Sequence, residues 1–539
     1  MIANRGEIAL RIDRACKELG IKTTFIASEA DRDSHFARSA EELVIIGPAA
    51  AKDSYLAMDK IVAVAKEKGC DAVHPGYGFL SENADFARKV QQAGLTFIGP
   101  DPESIDALGS KTEARKRVQE RGVPTTAGAP GNLSDAELIA LAEKVGFPII
   151  IKAVAGGGGR GMRIVNSLEE MREALPRARA EALKNFSNDA VYFEQYISEP
   201  RHVEVQIFGD SHGNVVHFGT RDCSTQRRHQ KLVEEAPAPF LSPDLRRRIE
   251  SAAVEAARSV GYKNAGTAEF LVKDEKFYFL EMNTRIQVEH PVTEVVSGVD
   301  LVQLQLRVAQ GEAIPWEQKD IRIRGHAIEF RIYAEDPENN FSPCKGRIRT
   351  LKRPQADYIR EDGAFEEGDD VVLFYDAMLS KLIVYGATRE EAIARSYEAL
   401  REYELEGITT TLPFHRWLLR NSPFRAAPLD IGYLGREYSA ESLRALRASE
   451  IRDPSYVEPI AGAEKREIFE YKCRRFDATY QVELTHRRGG LFLACPITEL
   501  GNRAAPNYCR LSNGRTAVME SLTQEVLEVS PPAEIFPSR

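Results

Sequence analysis

The 539-residue sequence predicts an α/β protein with a small β-rich C-terminal extension, on three observations. Short apolar runs alternate with amphipathic helical stretches near the N-terminus, the pattern of a parallel sheet covered by helices. From 149 onward apolar strands dominate, interrupted by a glycine run and a tight hairpin. Past 445 the segments alternate without helical periodicity.

Taken in order, "EIALRIDRACKELG" places Ile8, Ile12, Ala15 and Leu19 on one stripe and ends at Gly20, a good C′ residue. "TTFIAS", "ELVIIG", "DAVHPG" and "LTFIGP" read as strands. A first strand of only Met1–Ala3 is short enough to expect residues ahead of it. "ALGSKTEARKRVQERG" reads as one helix closed by Gly122, and "SDAELIALAEKVGFP" as a helix opened by a Ser134/Glu137 capping box. The strand "PIIIKAV", the glycine run and the strand "MRIV" follow, then a helix-rich stretch to 190. Strands "VYFEQYI", "HVEVQIFG" and "NVVHFGT" precede a helix over 244–260 that opens at Ser242–Pro243. "TAEFLV", "FYFLEMN", "HAIEFRIYAED" and "LSKLIVYG" read as strands, and a helix runs from 388 to about 405.

Bulk composition narrows the function classes. A net charge of −9 argues against nonspecific nucleic-acid binding, which needs a basic surface. No apolar run approaches the ~20 residues that span a bilayer, and no secretory pattern opens the chain. Seven isolated cysteines, none in a C-x-x-C pair, argue against a disulfide framework or a structural zinc site. A cytoplasmic protein with reduced thiols is expected.

Several segments carry chemistry. In "IIIKAVAGGGGRGM" a G-x-G-x-x-G spacing (Gly156, Gly158, Gly161) precedes a strand, so it is no Rossmann fingerprint. It reads as a hairpin tip whose bare amides can close over phosphates. Lys152 lies inside the apolar strand before it, where an ammonium needs an anionic partner. Lys152 and Lys111 are the lysines assigned to nucleotide phosphates. In "TAEFLVKDEKFYFLEMN" a three-residue loop at 274–276 sets Glu269 opposite Glu281, with Asn283 on the same face. Two carboxylates and an amide oxygen are hard ligands suited to Mg²⁺ or Mn²⁺. "EMNTRIQVEHP" continues that row, with Glu281, Asn283, Arg285, Gln287 and Glu289 on one face if extended. "RDCSTQRRHQKLVEEAPAP" gathers Arg221, Arg227, Arg228, His229 and Lys231 in one loop, a place for an anion. "HPGYGFLSEN" reads as a structural strand-to-helix turn.

Together with "IANRGEIALRI" and "RIYAEDP", these motifs closely resemble the biotin carboxylase component of biotin-dependent carboxylases (acetyl-CoA, acyl-CoA or pyruvate carboxylase type), within the ATP-grasp superfamily. The resemblance covers about residues 1–445. It implies a Rossmann-like domain (1–107) and an ATP-grasp central domain (108–325) with a mobile lid at about 124–196. A C-terminal antiparallel-sheet domain (326–445) and the extension (446–539) complete the chain. The implied reaction is ATP-dependent carboxylation of biotin by bicarbonate through carboxyphosphate. In that scheme Glu289 is the general base, Arg285 the bicarbonate clamp, and Gln287 and the Val288 backbone complete the pocket. Arg331 stabilises the biotin enolate, and Lys231 neutralises the transferring phosphoryl group. Lys111, Lys152, Gly157, Gly158, Gly159, Glu194, His202, His229, Lys231, Glu269 and Glu281 fall at nucleotide positions, and Glu269, Glu281 and Asn283 at the metal. Ala155 stands where many relatives carry glycine, which stiffens the lid slightly.

The resemblance also implies a homodimer through Arg11, Arg14 and Glu18, with a separate biotin carboxyl carrier protein and carboxyltransferase as partners. The attachment motif A-M-K-M is absent: "AVMES" around Met519 has no lysine, so biotin is a substrate on the carrier and is not attached to this chain. The extension is expected to dock those partners. Deleting it should abolish their capture in pull-downs, and capture that survives deletion would exclude the idea. Two alternatives stay open: an ATP-grasp ligase activating another carboxylate as an acylphosphate, and a non-catalytic nucleotide-binding subunit.

Overall fold

Ile2 shows how so short a start serves as a strand. It makes one parallel bridge to Phe25 and another to His74. It thereby joins the parallel ladder Phe25–Ser28/Leu43–Gly47 to the ladder Ala72–Val73/Thr96–Phe97. Helix Gly6–Glu18 covers this sheet with Ile8, Ile12 and Ala15 buried. The computed structural model describes residues 1–131, 133–154, 162–186 and 188–452, and seven strands between 465 and 529. They divide into two units, Met1–Glu437 and Tyr438–Arg539.

The helix predicted through 107–122 is two helices, Pro102–Gly109 and Lys111–Glu120. Ser110 takes an extended conformation (φ −80°, ψ 106°) and breaks the run, which places Lys111 in the first turn of the second helix. A module over 128–195 has its own core. Its strands lie in the order Gly128–Ala129, Val191–Gln195, Ile149–Ala153, Arg163–Val165, all antiparallel. Leu138, Ile149, Ile151, Met171, Leu175 and Phe193 pack together inside it. The Ser134/Glu137 capping box opens helix Asp135–Val145. The glycine tip, with Gly157, Gly158 and Gly159, lies outside the described residues.

The site is carried by an eight-stranded antiparallel sheet. Its strands are β1 (Arg201–Gly209), β2 (Val215–Arg227), β3 (Gln230–Ala236), β4 (Asn264–Lys273), β5 (Lys276–Asn283), β6 (His326–Tyr333), β7 (Ile359–Gly363) and β8 (Met378–Gly386). They are ordered β5-β4-β1-β2-β3-β6-β8-β7. Helix Pro243–Arg258, capped by Ser242, packs against β1, β2 and β4. Helix Arg389–Glu402 packs on β6 and β8.

The basic segment read as a loop is instead the β2–β3 hairpin, turning at Arg228 and His229, both at positive φ. Its polarity misled the reading because Arg221 and Lys231 are satisfied inside the sheet. Arg221 is fully buried and donates to Glu204, Gln206, Thr267, Gln287 and Thr293. A guanidinium has five N–H donors, so it can be buried only where such a set of acceptors surrounds it. Arg11, expected on the outer face of the first helix, is also buried, against Glu294 and Asp300. Arg14 stays half exposed beside Asp362, and Glu18 accepts from Gln303.

The second unit contains two antiparallel sheets, one of Lys465–Cys473, Ala478–Arg487, Gly490–Ala494 and Glu499–Leu500, the other of Asn507–Arg510, Thr516–Met519 and Val526–Val529. No described helix is long and apolar enough to cross a membrane.

Candidate active site

The Glu269–Glu281 opposition exists, but by another route than a three-residue loop. The turn holds only Asp274 and Glu275, so Lys273 pairs with Lys276 and Phe270 with Phe279. Asp274 has φ 53°, the left-handed conformation that two-residue hairpin turns require. Continued unbroken, that register would carry Glu281 past Glu269. A bulge with Leu280 as the extra residue restores the pairing, setting Glu269 opposite Glu281 and Thr267 opposite Asn283.

The row from Glu281 to Glu289 is not one extended segment. Strand β5 ends at Asn283, the chain turns, and Glu289 is the N-cap of helix His290–Ser297. The turn folds the later side chains back over the sheet. Arg285 donates to Glu82 at 3.0 Å and to Asn283 at 3.1 Å. Gln287 donates to Glu269 at 2.9 Å and accepts from Arg221 at 2.7 Å. The Val288 carbonyl accepts from the buried Lys381 at 2.9 Å. Glu82, from the turn read as structural, thus belongs to the site, and nothing in its local sequence signals that.

Glu289 sits between two cations. Its Oε1 accepts from Lys231 at 2.6 Å and its Oε2 from Arg331 at 3.0 Å. Burial opposes its ionisation, but Lys231, Arg331 and Arg221 overcome that and hold the carboxyl well below the usual range. Lys231 also reaches Glu204 at 2.7 Å and Glu269 at 3.1 Å. Burial likewise opposes the charge on Lys231, yet Cys223 and these three acids raise its pKa well above the ordinary lysine value. Arg331 donates from Nε to Glu234 at 2.6 Å. Glu204, fully buried, was not read from the sequence; only its place between two apolar neighbours in β1 hints at an interior partner.

Across the cleft, Lys152 meets the anion its burial requires: Glu194 lies 3.1 Å away. Burial lowers the Lys152 pKa. Glu194 also takes Arg115 at 3.2 Å and the Thr126 hydroxyl at 3.0 Å. Lys111 stands 3.7 Å from Glu281, and His202 3.1 Å from Glu269. Burial lowers the His229 pKa, with His202 and Lys152 adding to the effect. The acid pair fits a hard divalent cation. Glu281 is shifted upward first by burial and then by the facing Glu269 charge, a repulsion that a cation between them removes.

Three family models tile the chain: the biotin carboxylase N-terminal domain over 1–105, the carbamoyl-phosphate synthase L chain ATP-binding domain over 110–316, and the biotin carboxylase C-terminal domain over 329–436. The chain is 50% identical over 439 residues to a biotin carboxylase of Haemophilus influenzae, covering 81% of this chain and 98% of that one. It is 48% identical over 437 residues to biotin carboxylase 1 of Bacillus subtilis, covering 80% of this chain and 97% of that one. A crystal structure of a Campylobacter jejuni biotin carboxylase–nucleotide complex superposes with a TM-score of 0.78 at 43% identity, covering 81% and 98% of the two chains. The biotin carboxylase domain dimer of Hydrogenobacter thermophilus 2-oxoglutarate carboxylase, with MgADP and bicarbonate, gives 0.77 at 44% identity, covering 80% and 96%. The opposed acids, the doubly held Glu289 and the paired Lys152 and Glu194 therefore stand in a chain that belongs to the biotin carboxylase family of ATP-grasp ligases.

Proposed function

We propose that this chain catalyses ATP-dependent carboxylation of biotin by bicarbonate. The observation that carries the reading is Glu289 held between Lys231 and Arg331, with Arg285 and Gln287 beside it. Arg285 presents a planar fork that matches a planar bicarbonate anion. Glu289 takes the bicarbonate proton, the freed oxygen attacks the γ-phosphorus of ATP, and ADP departs. Lys231 meets the charge on the transferring phosphoryl group, where positioning and electrostatics dominate. Glu269 and Glu281, with Asn283, would hold a divalent cation, which neutralises phosphate charge when bound. Carboxyphosphate then releases CO₂ beside the biotin ureido nitrogen. The departing phosphate is the strongest base generated there and takes the ureido proton. Arg331 faces the resulting enolate oxygen while the ureido nitrogen bonds to the carbon of CO₂, giving carboxybiotin.

Lys111, Lys152, Glu194, His202 and His229 are assigned to the nucleotide. The glycine segment Gly157–Gly159 is assigned to the lid that excludes water. Divisions at 107 and 325 are supported by the gaps between the three family matches; the third match ends at 436, and helix Ala440–Arg452 runs across 445. A carrier protein and a carboxyltransferase are the partners such a half-reaction needs. A homodimer is supported by the dimer formed by the Hydrogenobacter thermophilus biotin carboxylase domain; of the expected contact residues Arg11, Arg14 and Glu18, Arg11 is buried within its own chain and Arg14 stays half exposed. The four described cysteine side chains are free, which suits a reducing cytoplasmic compartment.

ATP hydrolysis by the chain with Mg²⁺ tests the reading. Turnover is expected to require bicarbonate and to rise with free biotin. Turnover indifferent to both would overturn it in favour of another carboxylate acceptor.

A further inference from the structure

Strand β6 carries a carboxyl group that no step above uses. Glu329 lies two residues before Arg331, hence on the same face of the strand, and is fully buried. Among the described residues, neither of its oxygens has a hydrogen-bond partner, and Oε2 of Glu234 has none either. Glu234 and Glu329 are directly opposed across β3 and β6. That pairing sets their Cβ atoms about 4.5–5.5 Å apart, where two like charges are destabilising.

The nearby cations hold other partners, and none donates to Glu329. Arg331 gives its Nε to Glu234 and an Nη2 to Glu289. Lys381, from β8, spends its Nζ on the Val288 carbonyl and on Glu7, 3.1 Å away. His290, on the helix packed against β6, is held well below the ordinary histidine range, mainly by burial, and so is neutral. Arg389 is bound to Glu235, and His415 to the Arg331 carbonyl. An ionised Glu329 would be a buried charge with no donor, which is far costlier than a neutral acid. One proton pairs two of the three orphan oxygens: an O–H on Glu329 would donate to Oε2 of Glu234.

We propose that Glu329 is protonated in the working enzyme and donates to Glu234, so that this buried acid pair, sharing one negative charge, holds the Arg331 guanidinium in place. Glu329 is a positioning residue that acts through Glu234. The role of Arg331 rests on the carboxylase reading; the proton does not. Burial is the main cause that pushes the Glu329 carboxyl well above its usual range, and Glu234 adds to it against Lys381. Burial also moves Glu234 up to about 7, with Glu289 adding to it against Arg331. Loss of the proton at alkaline pH opposes two charges and loosens Arg331, so activity falls on that side.

Infrared spectra and kinetics of Glu329→Gln and Glu329→Leu test this. The wild type at neutral pH should show a protonated-carboxyl C=O band that Glu329→Gln removes, a result that needs no turnover. The glutamine amide donates as the acid does, so Glu329→Gln should keep biotin-dependent kcat/KM within about threefold and shift the alkaline limb upward. Glu329→Leu leaves Glu234 without its donor and should lose about tenfold or more. The proposal is overturned if no band is lost in Glu329→Gln, if glutamine is as damaging as leucine, or if the alkaline limb does not move. Should Glu329→Leu fail to fold, the glutamine spectrum and pH profile still decide. Should the wild type show no biotin-dependent turnover, the carboxylase reading fails while the infrared band still decides the proton.

Discussion

Glu289→Gln should abolish bicarbonate-dependent ATP hydrolysis, with a loss of about 10²–10⁴-fold, the range for a general base. The amide keeps the shape of the side chain and can still accept from Lys231 or Arg331, so the fold should survive. What it loses is the capacity to take the bicarbonate proton. Nucleotide affinity should change far less than turnover, because Lys231 is the one residue assigned to the nucleotide that the described contacts of Glu289 reach. Steady-state turnover beside calorimetric ATP binding checks this; turnover within threefold of the wild type would remove Glu289 from the role. The same geometry implies that Glu289 is a weak base until substrates arrive. Its proton affinity is suppressed by Lys231 and Arg331, and would rise if the proposed phosphate and biotin contacts drew those cations away.

Lys231→Met should have two effects. Turnover should fall about 10²–10³-fold, as when one preorganised donor to a developing charge is removed. Stability should fall too, because Glu204, Glu269 and Glu289 share this one ammonium. Breaking a buried ion pair from one side costs about 3–5 kcal/mol. The pH dependence has a definite sign. Glu269 and Glu289 titrate below their ordinary 4.5 in the fold, so their stabilisation is present above that value and is lost as pH falls through the depressed values. The variant should therefore lag the wild type most at neutral pH, and the gap in Tm should narrow below about pH 4.5. A gap that does not vary with pH would show that the loss is packing and not charge.

Much of the local structure was legible along the chain. The stripe of Ile8, Ile12 and Ala15, the Ser134/Glu137 box and the Ser242–Pro243 start depend on neighbours within a turn or two, and all three stand in the fold. The burial of Lys152 in an apolar strand announced an anionic partner, and Glu194 is that partner. Buried charges were the weak point: Arg221 read as part of an anion-binding loop and Arg11 as part of a dimer face, because their acceptors lie far away in sequence, Arg221 with Gln287 and Arg11 with Glu294.

The residue types proposed to meet a divalent cation, a phosphate and a bicarbonate stand in short motifs that are read without any coordinates. How they meet was settled by long-range packing. A bulge at Leu280, and not the turn length, sets Glu269 opposite Glu281, since register depends on every pair along the ladder. Glu82, Glu204, Glu234 and Glu329 enter the site from four separate segments. Their surroundings exist only once the sheet has closed around them.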